Sequence, residues 1–162
     1  RFYQVCIIFM LICMMNKFIL LLLSFFNLGK VRFAPGTLAS IFTAIIWYNI
    51  PNIITIQISL IVIIIIISSF LCFYYNMNIK KDDPSFIVLD EFCGMSISLF
   101  MLPKTYILFF VSFLIFRFFD IVKPLYINES QQIKYGIGIM VDDILSGLYT
   151  LAIMNFILFF CK

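Results

Sequence analysis

The sequence predicts an all-α fold, a multi-pass helical membrane protein with a single helical domain, and three observations support this prediction. Of the 162 residues, 64% are hydrophobic and 12% are charged, about half the charged fraction of soluble domains. The uncharged run over residues 53–75 exceeds the roughly 20 apolar residues that a helix needs to cross a bilayer. Such runs lack the alternating pattern of membrane strands, so helices are the predicted way to pair the backbone in lipid.

Turn residues divide this sequence into six predicted helices. The predicted helices cover residues 17–28, 37–48, 53–75, 85–102, 105–122 and 140–160. The turns between them are marked by prolines, at Pro35, Pro51, Pro84, Pro103 and Pro124. Thr37 is placed to cap the second helix, which at about 18 Å is too short for a full crossing and could be re-entrant. Because the composition is biased toward Ile and Phe, some apolar helices could also be protein core.

The first residues are predicted to precede the domain. Arg1 is not an initiator methionine, whereas Met14 and Met15 open an apolar stretch. Residues 1–14 are therefore expected to be an upstream extension or leader remnant, and residues 15–162 the helical membrane domain. No small-residue cleavage site follows the apolar stretch, which disfavours a cleaved secretory signal.

The composition also excludes several classes of function. The net charge is +3 and the basic residues are scattered, so no nucleic-acid partner is expected. There is no histidine, and the five cysteines form no C-x-x-C pair, so neither zinc nor disulfides are predicted. The cysteines are instead expected to be small buried residues.

The acidic residues are confined to the second half of the chain. They are Asp82, Asp83, Asp90, Glu91, Asp120, Glu129, Asp142 and Asp143. Asp90, Glu91, Asp142 and Asp143 lie within or at the start of predicted helices, beside strongly apolar sequence. Because a charge at membrane depth costs several kcal/mol, such residues are candidates for a functional site.

Counting the crossings brings most charged residues to one membrane face. Loops 29–36, 76–84 and 125–138 are predicted to lie on the same side of the membrane. The residues gathered there are Lys30, Arg32, Lys80, Lys81, Asp83, Asp90, Glu91, Arg117, Asp120, Lys123, Asp142 and Asp143. The opposite loops carry almost only Lys104, so the positive-inside rule makes the charged face cytoplasmic.

The paired carboxylates predict a site for a hard cation such as Mg²⁺, which prefers oxygen ligands. Neighbouring helical residues point about 100° apart, so at most one acid of each pair, Asp90-Glu91 and Asp142-Asp143, is expected to face a given metal. The other acid is expected to bond a basic group or support the ligands. The number of metal ions is left open.

Basic residues and one loop complete the parts required for phosphoryl transfer. Four residues are fit to hold phosphate: Arg117, Lys123, Lys30 and Arg32. Gly36 and Thr37, at a helix start, could offer backbone N–H groups to an anion.

The same residues are compatible with structural roles, and the composition excludes several phosphatase reaction types. Asp90 and Asp120 could instead be structural ion-pair partners of Arg117 or Lys123, and Gly147 is expected to permit close helix packing. The absence of histidine, of a Cys–Arg phosphatase loop and of an Asp-x-Asp motif leaves metal-assisted attack by water or by an aspartate.

Four sequence blocks resemble the phosphatidylglycerophosphatase A family. They are APGTLAS at 34–40, DPSFIVLDEFCGM at 83–95, FRFFDIVKP at 116–124 and GIGIMVDDILSG at 136–147. The blocks occur in the family's order, and the resemblance runs from about residue 26 to residue 149, which is most of the chain. The departures, such as Ala39 in place of a usual glycine, leave the acidic and basic positions untouched.

The resemblance implies a Mg²⁺-dependent lipid phosphatase that converts phosphatidylglycerophosphate to phosphatidylglycerol in phospholipid biosynthesis, at the cytoplasmic face of the bacterial inner membrane. The residues expected to hold Mg²⁺ and the attacking water are Asp90, Glu91, Asp142 and Asp143, with Asp83 as a further ligand candidate. Arg117 and Lys123 are expected to clamp the terminal phosphate, and Asp120 to orient one of them or bind metal.

Two alternatives remain at this stage, and the oligomeric state is left open. Another lipid-headgroup phosphotransferase is disfavoured because its D-G-x-x-A-R signature is missing. An ion transporter that uses intramembrane carboxylates is disfavoured because the acids gather at one face.

Overall fold

The computed structural model describes residues 14, 17–31, 34–79, 87–124 and 137–160, and every regular element in these ranges is helical. Helix α1 covers residues 17–23 and is followed by a 3-10 turn at Leu28–Lys30. The longer helices are α2 (Pro35–Asn49), α3 (Ile54–Ile79), α4 (Leu89–Ser98), α5 (Tyr106–Val122) and α6 (Ile137–Phe160). The all-α prediction is therefore confirmed for the described residues.

Helix α4 lies at the centre of the bundle. It packs most extensively against α6 and also contacts α2, α3 and α5. Nine of its ten residues are buried. Leu89 and Cys93 belong to an apolar cluster with α1 and α3, whereas Met95 and Leu99 join a second cluster around Trp47. At about 15 Å, α4 is too short to cross a membrane, so it is a core helix.

Helix α4 is also shorter than the predicted helix over residues 85–102. At its start, Val88 is not helical, and its N–H donates to the Leu23 carbonyl at 3.1 Å. At its end, Met101 has a φ of 53°, a left-handed conformation that a helix cannot continue through. The N–H of Met101 donates to Gln57 Oε1 at 2.8 Å. Tertiary hydrogen bonds therefore replace the helical ones at both ends.

The turn that follows α4 is held by side chains from α2 and from the loop before α3. Trp47 Nε1 donates to the Leu99 carbonyl at 3.1 Å, and Asn52 Nδ2 donates to the Leu102 carbonyl at 3.1 Å. These bonds fix the turn against α2 and the loop before α3, and the Leu99 carbonyl also accepts from the Leu102 N–H at 3.2 Å.

Other helix boundaries also differ from the prediction. The helix predicted over 17–28 ends at residue 23, because the next residues turn, with positive φ at Phe25, Phe26 and Asn27. Helix α2 begins at Pro35 after the N-cap residue Ala34. The prediction that Thr37 caps this helix is therefore wrong, since Thr37 lies inside its first turn.

Two described helices are long and apolar enough to cross a membrane, over Ile54–Tyr75 in α3 and Met140–Phe160 in α6. Only 22% and 28% of their most apolar windows are buried inside the protein. A core helix of a soluble protein would be mostly buried, whereas these helices expose large side chains such as Phe70 and Phe159. Continuous exposed apolar surface of this kind suits a lipid environment, and it indicates membrane association.

Candidate active site

Seven charged side chains meet where four helix ends come together. They are Asp90 and Glu91 of α4, Arg117 and Asp120 of α5, Lys123 just after α5, and Asp142 and Asp143 of α6. The start of α2 approaches the same group through Gly36. The structure therefore brings these sequence-predicted residues to one end of the bundle.

Three of the carboxylates form a compact group. Asp90, Glu91 and Asp143 each offer one oxygen, and these oxygens lie within 4.8 Å of one another. Octahedral Mg²⁺ binds at 2.0–2.1 Å, which places ligand oxygens about 3–4 Å apart. The group could therefore hold a metal ion after a small inward movement of the side chains.

Asp90 and Glu91 both contribute an oxygen to the carboxylate group, which differs from the expectation that only one acid of each pair faces a given metal. Both lie in the first turn of α4, and the extra methylene of Glu91 lets its carboxylate reach back toward Asp90. In the second pair only Asp143 joins the group. Asp142 instead accepts a hydrogen bond from Lys123 Nζ at 2.5 Å.

Two buried polar atoms at the centre of the site have no hydrogen-bond partner, Glu91 Oε2 and Arg117 Nε. An orphaned carboxylate oxygen and an orphaned guanidinium N–H are costly when buried. A cation would satisfy the first and an anionic ligand the second. The donor set, made of carboxylate oxygens alone, fits a hard divalent cation.

Burial and mutual repulsion disfavour the charged form of the acids in α4. Burial raises the pKa of Asp90 well above its usual value, and the neighbouring Glu91 carboxylate raises it further. Burial also raises the pKa of Glu91, although the hydrogen bond with Asp90 and the charge of Arg117 partly oppose this. A bound cation would offset the repulsion between the Asp90 and Glu91 carboxylates that contributes to these raised pKa values.

Two ion pairs border the carboxylate group. Arg117 Nη1 bonds Asp120 Oδ2 at 2.5 Å, and the two side chains are 16% and 13% exposed. Burial alone would lower the pKa of Lys123, but its hydrogen bond to Asp142 and the charges of three aspartates raise it on balance. Lys123 is therefore a fixed positive charge. The site holds five carboxyl groups and two described basic side chains, Arg117 and Lys123, and the raised pKa values of the two acids in α4 reduce the negative charge that those carboxyl groups carry.

Gly36 places the start of α2 directly against the site. A Cβ at this position would lie 2.9 Å from Glu91 Cδ and 3.2 Å from Arg117 Nη1, so a side chain here would displace the Glu91 carboxylate from its place in the site. Thr37 is half-buried in the same turn. Three other predicted contributors, Arg32, Asp83 and the side chain of Lys30, lie outside the described residues.

Gly94 and Gly147 position the acids by allowing two helices to pack closely. A Cβ at Gly94 would lie 2.5 Å from the Asp143 carbonyl oxygen and 2.7 Å from the ring of Phe116. A Cβ at Gly147 would lie 3.1 Å from the Gly94 carbonyl carbon. These glycines let α4 and α6 approach closely enough for Asp143 to meet Asp90, which is the packing role predicted for Gly147.

Neither of the two cysteines that the structure describes contributes chemistry to this site. Cys72 and Cys93 are free and buried, as predicted. Burial raises the pKa of Cys93 to about 12, and its thiol donates to Ser68 Oγ at 3.2 Å. A buried thiol with so high a pKa is not a nucleophile.

Comparison with known proteins agrees with the blocks that carry this site. A family model described as phosphatidylglycerophosphatase A matches residues 21–158. A Bacteroides thetaiotaomicron protein, provisionally named phosphatidylinositol-3-phosphatase, is 32% identical over 77% of this chain and 84% of its own length. A Haemophilus influenzae protein named phosphatidylglycerophosphatase A is 31% identical over 80% of this chain and 82% of its own length. An Escherichia coli protein of the same name is 34% identical over 82% of this chain and 78% of its own length. No solved structure gives a significant match.

Proposed function

This chain belongs to the phosphatidylglycerophosphatase A family and is a phosphatase, and from this premise we propose that it hydrolyses phosphatidylglycerophosphate to phosphatidylglycerol and phosphate, with Mg²⁺ as cofactor. The two relatives named phosphatidylglycerophosphatase A support the choice of substrate. Family membership also favours this function over the transporter and phosphotransferase alternatives.

The observation that carries the proposal is the carboxylate group with its orphaned oxygen. Asp90, Glu91 and Asp143 place three oxygens within 4.8 Å of one another, and Glu91 Oε2 has no hydrogen-bond partner. These three residues would hold the metal ion. When bound, Mg²⁺ supplies electrophilic stabilisation of the charge that develops on the phosphoryl oxygens.

Arg117 and Lys123 are proposed to bind the phosphate that is released. Arg117 presents a planar fork suited to two phosphate oxygens, and its Nε is buried without a partner. Lys123 provides a point charge on the Asp142 side of the site. Asp120 and Asp142 hold the side chains of Arg117 and Lys123 in place. These two side chains therefore lose little conformational freedom when the phosphate binds.

We also propose that the protein is a multi-pass protein of the bacterial inner membrane with this site at the cytoplasmic face. Met140, the first residue of the candidate span in α6, lies two residues before Asp142. Acids at the end of a span can meet a lipid headgroup while the lipid chains stay in the bilayer. The positive-inside bias of the loops supports the cytoplasmic orientation.

The test is phosphate release by the purified protein in detergent, measured with Mg²⁺ and with a chelator. Phosphatidylglycerophosphate and phosphatidylinositol 3-phosphate should be compared, because relatives carry names for both activities. We expect Mg²⁺-dependent release, with the glycerophosphate lipid as the better substrate. Release that persists in chelator would overturn the cofactor assignment, and a preference for the inositol lipid would overturn the substrate assignment.

A further inference from the structure

An apolar groove with a volume of about 380 Å³ opens between α2 and α5. Its α2 wall is formed by Ile41, Ala44, Ile45 and Tyr48. This spacing places the four side chains on one face of the helix. The volume lies within the range of about 300–1,000 Å³ that is common for small-ligand sites.

The α5 wall repeats the same spacing with aromatic residues. Tyr106, Phe109, Phe110 and Phe113 line this side. Phe109 is buried, but Tyr106 and Phe110 are 77% and 60% exposed, so the groove is open along its length. None of its lining residues is charged, and its polar groups, the Asn49 amide and the hydroxyls of Tyr48 and Tyr106, belong to the end of the groove formed by the C-terminus of α2 and the start of α5. The rest of the lining is hydrocarbon and suits an acyl chain.

Both walls continue into the candidate active site. Thr37 lies four residues before Ile41 on α2, and Arg117 lies four residues after Phe113 on α5. Four residues correspond to one helical turn of about 6 Å, so each wall reaches the site within one turn. Gly36 and Arg117 are in contact range at that point, since a Cβ on Gly36 would lie 3.2 Å from Arg117 Nη1.

Aromatic residues mark the far end of the groove. The rings of Tyr48 and Tyr106 stack with centroids 4.9 Å apart, and Lys104 Nζ lies 6.0 Å above the Tyr48 ring. From Arg117 to Tyr106 the helix rises about 16 Å. This length is close to half of a hydrocarbon core of about 30 Å, which is the depth of one leaflet.

We propose that this groove holds one acyl chain of the lipid substrate while its phosphate binds beside Arg117. The inference rests on the proposed function, because it takes the substrate to be a phospholipid. The groove has room for a single chain, and it begins where the phosphate would be held.

The test compares two substrates and a pair of matched variants. One substrate is a short-chain diacyl phosphatidylglycerophosphate used below its critical micelle concentration, and the other is its fully deacylated form. Ala44→Phe fills the groove from α2. Ala152→Phe makes the same change on an exposed position of α6 and serves as the control.

We expect Ala44→Phe to raise KM for the diacyl substrate about tenfold or more, with KM for the deacylated substrate unchanged. The control should change neither value. A diacyl KM within twofold of the unmodified protein, or an equal rise for both substrates, would overturn the groove assignment.

A crosslinking measurement on the unmodified protein covers the case in which Ala44→Phe fails to fold. The probe is phosphatidylglycerophosphate with a diazirine in one acyl chain, and the labelled residues are located by mass spectrometry. Labels on Ile45 or Phe110 are expected, and labels confined to α3 or α6 would reject the groove. If labels fall in the groove but no phosphate is released, the proposed function fails and the groove assignment stands.

Discussion

Gly147 of α6 lies so close to Gly94 of α4 that a Cβ on Gly147 would come within 3.2 Å of the Gly94 Cα. Two glycines in contact give the closest approach that two helices can make. This approach sets the distance between Asp90 on one helix and Asp143 on the other. The two glycines therefore determine the geometry of the carboxylate group without contributing a functional side chain.

Gly147→Ala should separate these helices and reduce activity. Overpacking a close contact lowers the free energy of unfolding by about 1–3 kcal/mol, and the separation should weaken metal binding. Thermal unfolding and the Mg²⁺ concentration that gives half-maximal activity measure the two effects. Leu148→Ala, at an exposed neighbouring position, is the control. Unchanged Mg²⁺ dependence in Gly147→Ala would show that the contact does not set the site.

Glu91→Gln should abolish most activity while the fold is kept. The amide retains the shape of the carboxylate but removes one negative ligand, so we expect activity to fall about 100-fold. In chelator the variant should unfold at a higher temperature than the unmodified protein, because one of the repelling acids is gone. Glu129→Gln, outside all four family blocks, is the matched control. Activity of Glu91→Gln near that of the unmodified protein would remove Glu91 from the metal site.

Lys123 and Asp142 should behave as a coupled pair. The side chain of Asp142 is 3% exposed and that of Lys123 is 25% exposed, so the loss of the lysine leaves the more buried charge. Lys123→Met is therefore expected to destabilise the protein more than Asp142→Asn. The double variant should recover about 1–3 kcal/mol relative to the sum of the single changes. Lys104→Met is the control, and strict additivity would show that the pair is not coupled.

The metal-free protein should lose stability as the pH rises. The pKa values of Asp90 and Glu91 are raised on folding from about 3.8 and 4.5, so the folded state binds protons that the unfolded state releases. Their contribution is fully present below these unfolded values and is lost as the pH rises through the folded values. Unfolding temperatures between pH 5 and pH 8 in chelator should therefore decline.

Added Mg²⁺ should reverse this decline, because it binds the deprotonated carboxylates. Asp90→Asn should flatten the pH dependence, since it removes the more strongly shifted acid. An unfolding temperature that is constant or rises with pH in chelator would contradict the assignment of these acids as a buried, repelling group.

Much of the site could be predicted from the sequence, because charges are rare in this chain and their positions carry information. Asp90, Glu91, Asp142 and Asp143 stand out beside apolar helices, and the structure brings all four to one end of the bundle. The sequence did not predict that Asp90 and Glu91 would share one site. Adjacent residues on a helix point about 100° apart, which predicts that their side chains diverge, but the longer side chain of Glu91 brings its carboxylate back toward Asp90. That reach depends on the tertiary environment, which no spacing rule includes.

The boundaries and role of α4 could not be predicted for a different reason. An apolar run has the same composition whether lipid or protein surrounds it, so the segment over 85–102 resembled a membrane span. Its ends are set by distant partners, the Leu23 carbonyl at one end and the Gln57 side chain at the other. Such long-range hydrogen bonds leave no local signal.

Trp47, which donates a hydrogen bond to the Leu99 carbonyl, is an intrinsic fluorescent reporter that lies away from the acidic site. Trp47 is the single tryptophan of the chain, and it is 1% exposed. It lies near the C-terminal end of α2, whereas the acidic site lies at the N-terminal end of the same helix. Its emission should therefore be blue-shifted and should respond to loosening between α2 and α4, but not to cation or phosphate binding. Variants of the acidic residues can thus be checked for an intact interior by the wavelength of their tryptophan emission, whereas Ala44→Phe cannot, because Ala44 packs against the cluster that contains Trp47.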